Sequence, residues 1–311
     1  MKKIFLFGGT GFIGSYFTDT FKNDKSLKIV KINKTSYTHS NLISEDKVKL
    51  FWTKILNKTD TIIYLSFNND LNDLNRNFKK NLSKTLIPLN ILIKLISTLK
   101  KKTKIIYLST ASIYGNQKKI PVNEKAKINI MNKYDLLKNL SENILINSKN
   151  NFLDYQILRL SNVYGPNLSK KKQDNRQIIS KIIYNCFKKK EINIFGSGNY
   201  YRDFVHVEDV SKVIKKISID NSIKKNQIYN IGSGNKITLI NLFKKISKNI
   251  EIRTNKKIIF RFIKNIDKSD QSFIRNYQSN INKAKKYLKW SAKIKLIDGI
   301  NNLIDFIHGK S

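Results

Sequence analysis

The chain has 311 residues, a formal charge of +38 at pH 7, 40% hydrophobic residues, three histidines and one cysteine, Cys186. It can bury a sizeable core in one large or two modest domains, it cannot form an internal disulfide, and its histidines and thiol lack zinc-site spacing, so no metal is expected. The charge alone would point to nucleic acid or an anionic membrane, but the lysines run along the whole length. With the excess of Asn and Ile they read as a coding bias toward A and T, which makes most of them solvated helix faces and argues against nucleic acid as the partner.

In chain order, the start MKKIFLFGGTGFIG sets two lysines before an apolar run, yet glycines interrupt the run and no small-residue cleavage site closes it. It reads as a buried first strand. No apolar segment reaches the roughly 18 residues of a membrane helix, so a soluble cytoplasmic protein in a reducing compartment is expected. Strands are predicted at 3–8, 28–32, 47–51, 60–65, 104–109 and 155–160, with helices near 12–22, 76–99 and 133–148. The link 52–59 is short for a full crossover helix and predicts one turn or an irregular loop. After residue 166 come a lysine-rich loop, a helix near 176–189, the short strand INIF, and helices near 207–219, 238–249 and 296–307. Strands alternating with helices predict an α/β fold around a parallel sheet covered on both faces, and the tail a smaller lobe beside it.

The run GGTGFIG leaves the first strand and opens a helix, placing glycines at 8, 11 and 14. Gly8 permits a tight turn, Gly11 lets backbone approach a diphosphate, and Gly14 lets the helix pack on the strand, while Phe12 and Ile13 open the helix whose N-terminus faces the phosphates. This predicts a doubly wound Rossmann-type domain over 1–165, completed by part of 205–235, with 166–311 mainly a C-terminal α/β substrate lobe. Ligands are expected in a cleft at the carboxyl ends of the strands. About 20 residues on, where an acidic residue usually holds the ribose of NAD, stand Asn33 and Lys34, so the cofactor is NAD or NADP.

Three tyrosines precede a lysine by four residues: Tyr114 with Lys118, Tyr134 with Lys138, and Tyr184 with Lys188. Such a pair meets only on a helix face. Tyr114 is followed by Gly115, Asn116 and Pro121, a loop. Tyr184 shares a polar stripe with Lys181 and Lys188 opposite Ile179, Ile182 and Cys186, a solvated face. Tyr134 lies on an amphipathic helix whose apolar side is Leu136, Leu137, Leu140 and Ile144, and the preceding strand KIIYLST ends in Ser109 and Thr110. Tyrosine, lysine and a strand-end hydroxyl make a proton-transfer constellation.

The motifs GGTGFIG, LSTASIYG, YDLLK, LRLSNVYGP, YRDFVHVEDV and YNIGSG, in this order over nearly the whole chain, resemble the extended short-chain dehydrogenase/reductase family and its nucleotide-sugar epimerases and dehydratases. The resemblance implies that Tyr134 is general acid and base, that Lys138 steadies its charged form and bonds the nicotinamide ribose, and that Thr110 bonds the reacting sugar oxygen. It further implies that Asn162 and Arg202 meet the nucleotide-diphosphate sugar, and that Leu65, Ser66 and Asn81 lie near the cofactor. Ser109 and Ser112 read as structural, His206 as packing and Trp290 as core. Relatives are often homodimers through two helices, here 76–99 and 133–148.

There are departures from the family. Phe51 and Trp52 stand where an acidic residue commonly meets adenine, and a second phosphate-binding arginine is not evident around Asn265 to Asp270. Ala111 and Ser112 follow Thr110 where 4,6-dehydratases carry acids, so dehydration is disfavoured. The resemblance therefore implies 4-epimerisation of a nucleotide-diphosphate sugar through a 4-keto intermediate, as in UDP-glucose 4-epimerases. An NADPH-dependent reductase of 4-keto-deoxysugar nucleotides is the alternative, and a non-catalytic dinucleotide- or RNA-binding protein is a further one.

Overall fold

The computed structural model describes residues 1–32, 44–59, 61–65, 68, 70–148, 150–168, 177–263 and 275–309. In chain order the elements are β1 (Lys2–Phe7), α1 (Phe12–Thr20), β2 (Leu27–Ile32), α2 (Glu45–Leu56), β3 (Thr61–Tyr64), α3 (Leu71–Arg76), α4 (Phe78–Thr98), β4 (Thr103–Thr110), α5 (Lys133–Ile146) and β5 (Leu153–Leu160). There follow β6 (Asn162–Tyr164), α6 (Ile178–Lys189), β7 (Glu191–Phe195), β8 (Tyr201–Arg202), β9 (Phe204–His206), α7 (Val207–Ile219) and β10 (Gln227–Ile231). The chain ends with β11 (Ile237–Thr238), α8 (Leu239–Thr254), β12 (Ile259–Ile263), α9 (Asn282–Leu288) and α10 (Leu296–His308). Two compact units result: Met1–Ile113 with Ile130–Arg159 and Val213–Tyr229, and Tyr114–Asn129 with Leu160–Lys212 and Asn230–Ser311.

The main sheet runs β2-β1-β3-β4-β5-β10, with β1–β2, β1–β3 and β3–β4 parallel. Ile4, Phe5, Leu6 and Phe7 are all buried, as are all four residues of β3, so both faces of the sheet are covered and its central strands are unbroken apolar runs. The fold is the expected Rossmann-like one. The chain crosses from β1 to β2 and returns on the other side of β1 to β3. The carboxyl ends of β1 and β3 therefore form the switch point where such sheets take ligands.

One predicted strand, 47–51, is wrong. Its alternation KVKLF is a fragment of a longer 3.6-residue repeat: Val48, Trp52, Ile55 and Leu56 are buried on one face of α2. Ser44 caps that helix by accepting from Lys47 N, and Glu45 and Asp46 occupy its first turn, where they complement the helix dipole. The irregular link expected at 52–59 disappears accordingly, because α2 itself is the crossover. Trp52 is fully buried 5.3 Å from the ring of Phe7, and Phe7 lies 4.8 Å from Tyr64. The sixth strand of the sheet is β10, whose segment YNIGSG carried a motif but no strand prediction.

The second unit is built on the apolar faces of α6, α8 and α10, with Ile179, Ile183, Leu242, Ile246, Ile300 and Ile304 in its core. Its strands pair in twos, β7 with β12 and β6 with β9 in parallel, and β8 with β11 antiparallel. They are two to five residues long, too short for alternation to be legible.

Candidate active site

The turn after β1 has the expected shape. Gly8 adopts φ +93°, donates from its N–H to Ile32 O and accepts from Gly11 N. A Cβ on Gly14 would lie 2.6 Å from Gly8 O and 2.7 Å from Gly9 Cα, backbone that cannot yield, so the tight seating of α1 excludes any side chain there. A Cβ on Gly11 would make only one ordinary contact, 3.4 Å from Gly8 O. Internal packing therefore does not require a glycine at the N-cap of α1. Gly11 is exposed and no side chain caps the helix, whose first residues Phe12 and Ile13 are half-buried. Leu65, just past β3, donates from its N–H to Phe7 O at 2.8 Å, which ties the two strand ends at the switch point. Asn33, Lys34 and Ser66 lie outside the described residues, as do residues 265–270.

Asn81 is buried in α4, with its carboxamide engaged by Asp73 Oδ2 at 2.9 Å, by Asn77 O and by Asn68. It pins the α3–α4 junction behind the β3 end.

The α5 helix buries a side rotated from the predicted one, with Leu137 common to both. Leu137 and Leu145 are buried, but beside them are Asp135, Lys138, Ser141 and Glu142, whereas Leu136, Leu140 and Ile144 are half-buried. The polar side faces β4 because β4 and the turn after it supply partners. Lys138, 4% exposed, donates to Leu108 O at 2.6 Å, and its ammonium stands 5.1 Å from the Tyr107 ring and 5.9 Å from the Tyr134 ring. A buried ammonium between two tyrosines costs desolvation that only anchored acceptors and ring faces offset. Burial pushes the Tyr107 hydroxyl well above its usual range, so it stays neutral, whereas Tyr134 is half-buried with access from outside.

Thr110 ends β4. Its Oγ1 lies 2.8 Å from Ser112 Oγ and accepts from Ser112 N at 3.1 Å; Ser112 Oγ in turn donates to Asp135, the neighbour of Tyr134. Behind this chain Ser109 donates to Glu142, and Glu142 pairs with Arg159 Nη2 at 2.7 Å, both of them buried. The other two tyrosine–lysine pairs part as their sequence context predicts. Tyr114 is buried and donates to Asn230 Oδ1 at 2.8 Å, while Tyr184 carries Lys188 over its ring at 5.0 Å on a helix surface.

In the second unit, Arg202 is 6% exposed, with Nη1 donating to Tyr201 O and Arg275 O. Burial, and then the nearby charge of Arg275, pull its guanidinium down to about 9. Asn162 donates from both its backbone and side-chain nitrogens to Asp203 O, at 3.1 and 3.0 Å. Asp203 is fully buried and its carboxylate accepts from Ser233, Gly234 and Ser279, so it fixes the strand that carries Arg202 and the strand that carries Asn162. His206 packs edge-on at 5.2 Å from Tyr164, and Trp290 is buried with Nε1 donating to Asp209 O.

Residues 4–232 match the model of the NAD dependent epimerase/dehydratase family. The chain belongs to that family. A putative UDP-glucose 4-epimerase of Methanocaldococcus jannaschii is 32% identical over 66% of this chain and 63% of its own length. A dTDP-D-glucose 4,6-dehydratase of Dictyostelium discoideum is 27% identical over 79% of this chain and 62% of its own. The match thus spans less than two thirds of either relative. Among solved structures, a UDP-glucose 4-epimerase of Thermotoga maritima crystallised with UDP-glucose shares the fold, with TM-score 0.82, 22% identity and 99% of each chain covered.

Three groups escaped the sequence reading of this epimerase/dehydratase relative. Asp135 sits beside Tyr134 in YDLLK but reads as a helix-opening acid. Glu142 is four residues beyond Lys138 on the same face, a signal that the apolar-face assignment hid. Arg275 lies beside Arg202, whose Nη1 donates to its carbonyl, a neighbour 73 residues away that spacing does not reveal.

Proposed function

We propose that the chain carries out NAD(P)-dependent oxidation and reduction at carbon 4 of a nucleotide-diphosphate sugar, chiefly 4-epimerisation through a 4-keto intermediate. The observation that carries this is the buried Lys138 ammonium, anchored on Leu108 O and flanked by the Tyr134 ring, with Thr110 ending the strand it is anchored to. No packing requirement explains a lysine there, whereas an ammonium beside a phenol steadies the negative charge that forms when the phenol gives up its proton.

Gly8, Gly11, Phe12, Ile13 and Gly14 would hold the dinucleotide's diphosphate on the first turn of α1, and Lys138 its ribose. Bound NAD or NADP would accept and return the hydride at carbon 4. Tyr134 takes up the hydroxyl proton as the sugar is oxidised and returns it on reduction, and Thr110 bonds the sugar oxygen. Arg202, buried and beside Arg275, suits a diphosphate as counter-ion, and the forked guanidinium can bond two of its oxygens. Asn162, fixed on Asp203 O, would line the sugar or diphosphate. UDP-glucose, named for the Methanocaldococcus and Thermotoga relatives, is the first substrate to test.

Half-buried Leu82 and Leu86 on α4 with Leu136, Leu140 and Ile144 on α5 supply apolar surface for a homodimer through these two helices. No helix of the described residues is long and apolar enough to cross a membrane. A cytoplasmic working place suits the lone Cys186, whose thiol burial pushes up to about 12 and keeps unreactive.

The test is mass spectrometry of the nucleotides that co-purify, followed by magnetic resonance of UDP-glucose incubated with the protein. Retained NAD and appearance of the 4-epimer are expected. Consumption of added NADPH by a 4-keto sugar nucleotide, without epimerisation, would make it a reductase; RNA binding with no turnover of either would remove the enzymatic reading.

A further inference from the structure

The hydrogen bonds at the end of β4 have a direction. A serine hydroxyl has one proton, and with Asp135 ionised, when it can only accept, that proton of Ser112 is given to Asp135. In the 2.8 Å contact between Ser112 Oγ and Thr110 Oγ1 the donor must then be Thr110. One acceptor position of Thr110 is already filled by Ser112 N–H at 3.1 Å. Thr110, half-buried, is therefore left with one lone pair and no free proton. The buried carboxylate that imposes this sits on the first turn of α5, held there by Asn132, whose Oδ1 accepts from Asp135 N at 2.8 Å, and directly follows Tyr134.

We propose that Asp135, acting through Ser112, makes Thr110 a hydrogen-bond acceptor for the carbon-4 hydroxyl and gives that hydroxyl's proton a second outlet beside Tyr134. The inference rests on the reading above that the reacting centre is a sugar alcohol at Thr110. In the oxidative half, a dinucleotide held on the first turn of α1 would take the C4–H electron pair as hydride as that bond breaks. The O–H proton passes to Thr110, the Thr110 proton to Ser112 and the Ser112 proton to Asp135, which ends as a neutral acid while the C4=O bond forms. Return of the hydride runs the same chain backward. Every hydroxyl already points the way the proton must go, so no group has to turn before the step. The same polarity selects the substrate: a 4-hydroxyl can donate to Thr110, and an acceptor-only group at carbon 4 cannot.

Ser112 is the position to vary, because it is half-buried on a 3₁₀ turn and its hydroxyl can be removed without disturbing the buried Asp135 backbone. Calorimetry with UDP-glucose and UDP-4-deoxy-4-fluoroglucose should show the wild type preferring the hydroxyl by about tenfold, the worth of one net hydrogen bond. Ser112→Ala should lose that preference, and Ser112→Thr, which keeps the hydroxyl, should retain it. In epimerisation assays, Tyr134→Phe should leave a residual rate, and adding Ser112→Ala should abolish it while adding Ser112→Thr does not. If wild type turns the sugar over but Ser112→Ala keeps both the preference and the Tyr134→Phe residue of activity, the relay is overturned and the epimerase reading stands. If wild type neither binds nor converts any nucleotide sugar, the reading falls and the relay with it.

Discussion

At the residue scale the chemistry comes down to where single charges and protons are held. Lys138 stands between a buried tyrosine held neutral and a half-buried one, so of the two tyrosines Tyr134 is the one suited to exchange a proton with a ligand. Tyr134→Phe should lower kcat by about 10²–10⁴ with dinucleotide affinity retained, as befits loss of a general acid–base, and steady-state kinetics beside a binding titration checks it. A second single-residue outcome concerns acid. Burial holds the His206 imidazole below its ordinary value near 6.5, so the unfolded chain binds more protons than the folded one as pH falls past that value. Its contribution to stability is complete above the unfolded value and is lost as pH falls from there through the lower folded one. Urea unfolding across that window should show the loss in wild type and a flatter profile in His206→Asn; parallel profiles would refute it.

At the scale of elements, the strands and helices of the first unit were legible wherever their period ran long enough. Within that unit β1 to β5, the false strand at 47–51 aside, and helices α1, α4 and α5 were placed within a few residues, and the short α3 was missed. The failure at 47–51 came from judging a period over five residues when Val48, Trp52, Ile55 and Leu56 show it only over nine. The face of α5 was misjudged for a different reason: hydrophobicity alone cannot show that a strand end offers acceptors to Lys138 and Glu142. Polar groups on a buried face look like a solvated one until their partners are known. The Glu142–Arg159 pair joins α5 to β5 and, through Ser109, to the end of β4. Glu142→Met alone should cost about 3–5 kcal/mol, since it strands a buried guanidinium, whereas Glu142→Met with Arg159→Met should recover most of that in denaturant unfolding. Of the candidate site, Thr110, Tyr134, Lys138 and the glycine turn could be read from spacing; Asp135 and Arg275 could not, because their partners are distant in sequence or reached through another side chain.

At the scale of the whole molecule, 60 basic against 22 acidic residues surround a site proposed for a dianionic nucleotide. Such a field raises encounter rates and is screened by salt. Stopped-flow binding of UDP-glucose should therefore slow markedly as salt is raised, with a smaller change in the dissociation rate; an association rate indifferent to salt would show that the lysines play no part in capture. The same charge has another consequence at the rim of the sheet. Because 47–51 forms α2, the strand order among the described residues ends at β2, where Lys28 and Lys31 point outward along LKIVKI. An outermost strand with open amides invites a strand from another molecule, and like charges facing one another across such a junction repel it. Two exposed lysines on that strand would set like charges against each other if two such edges met.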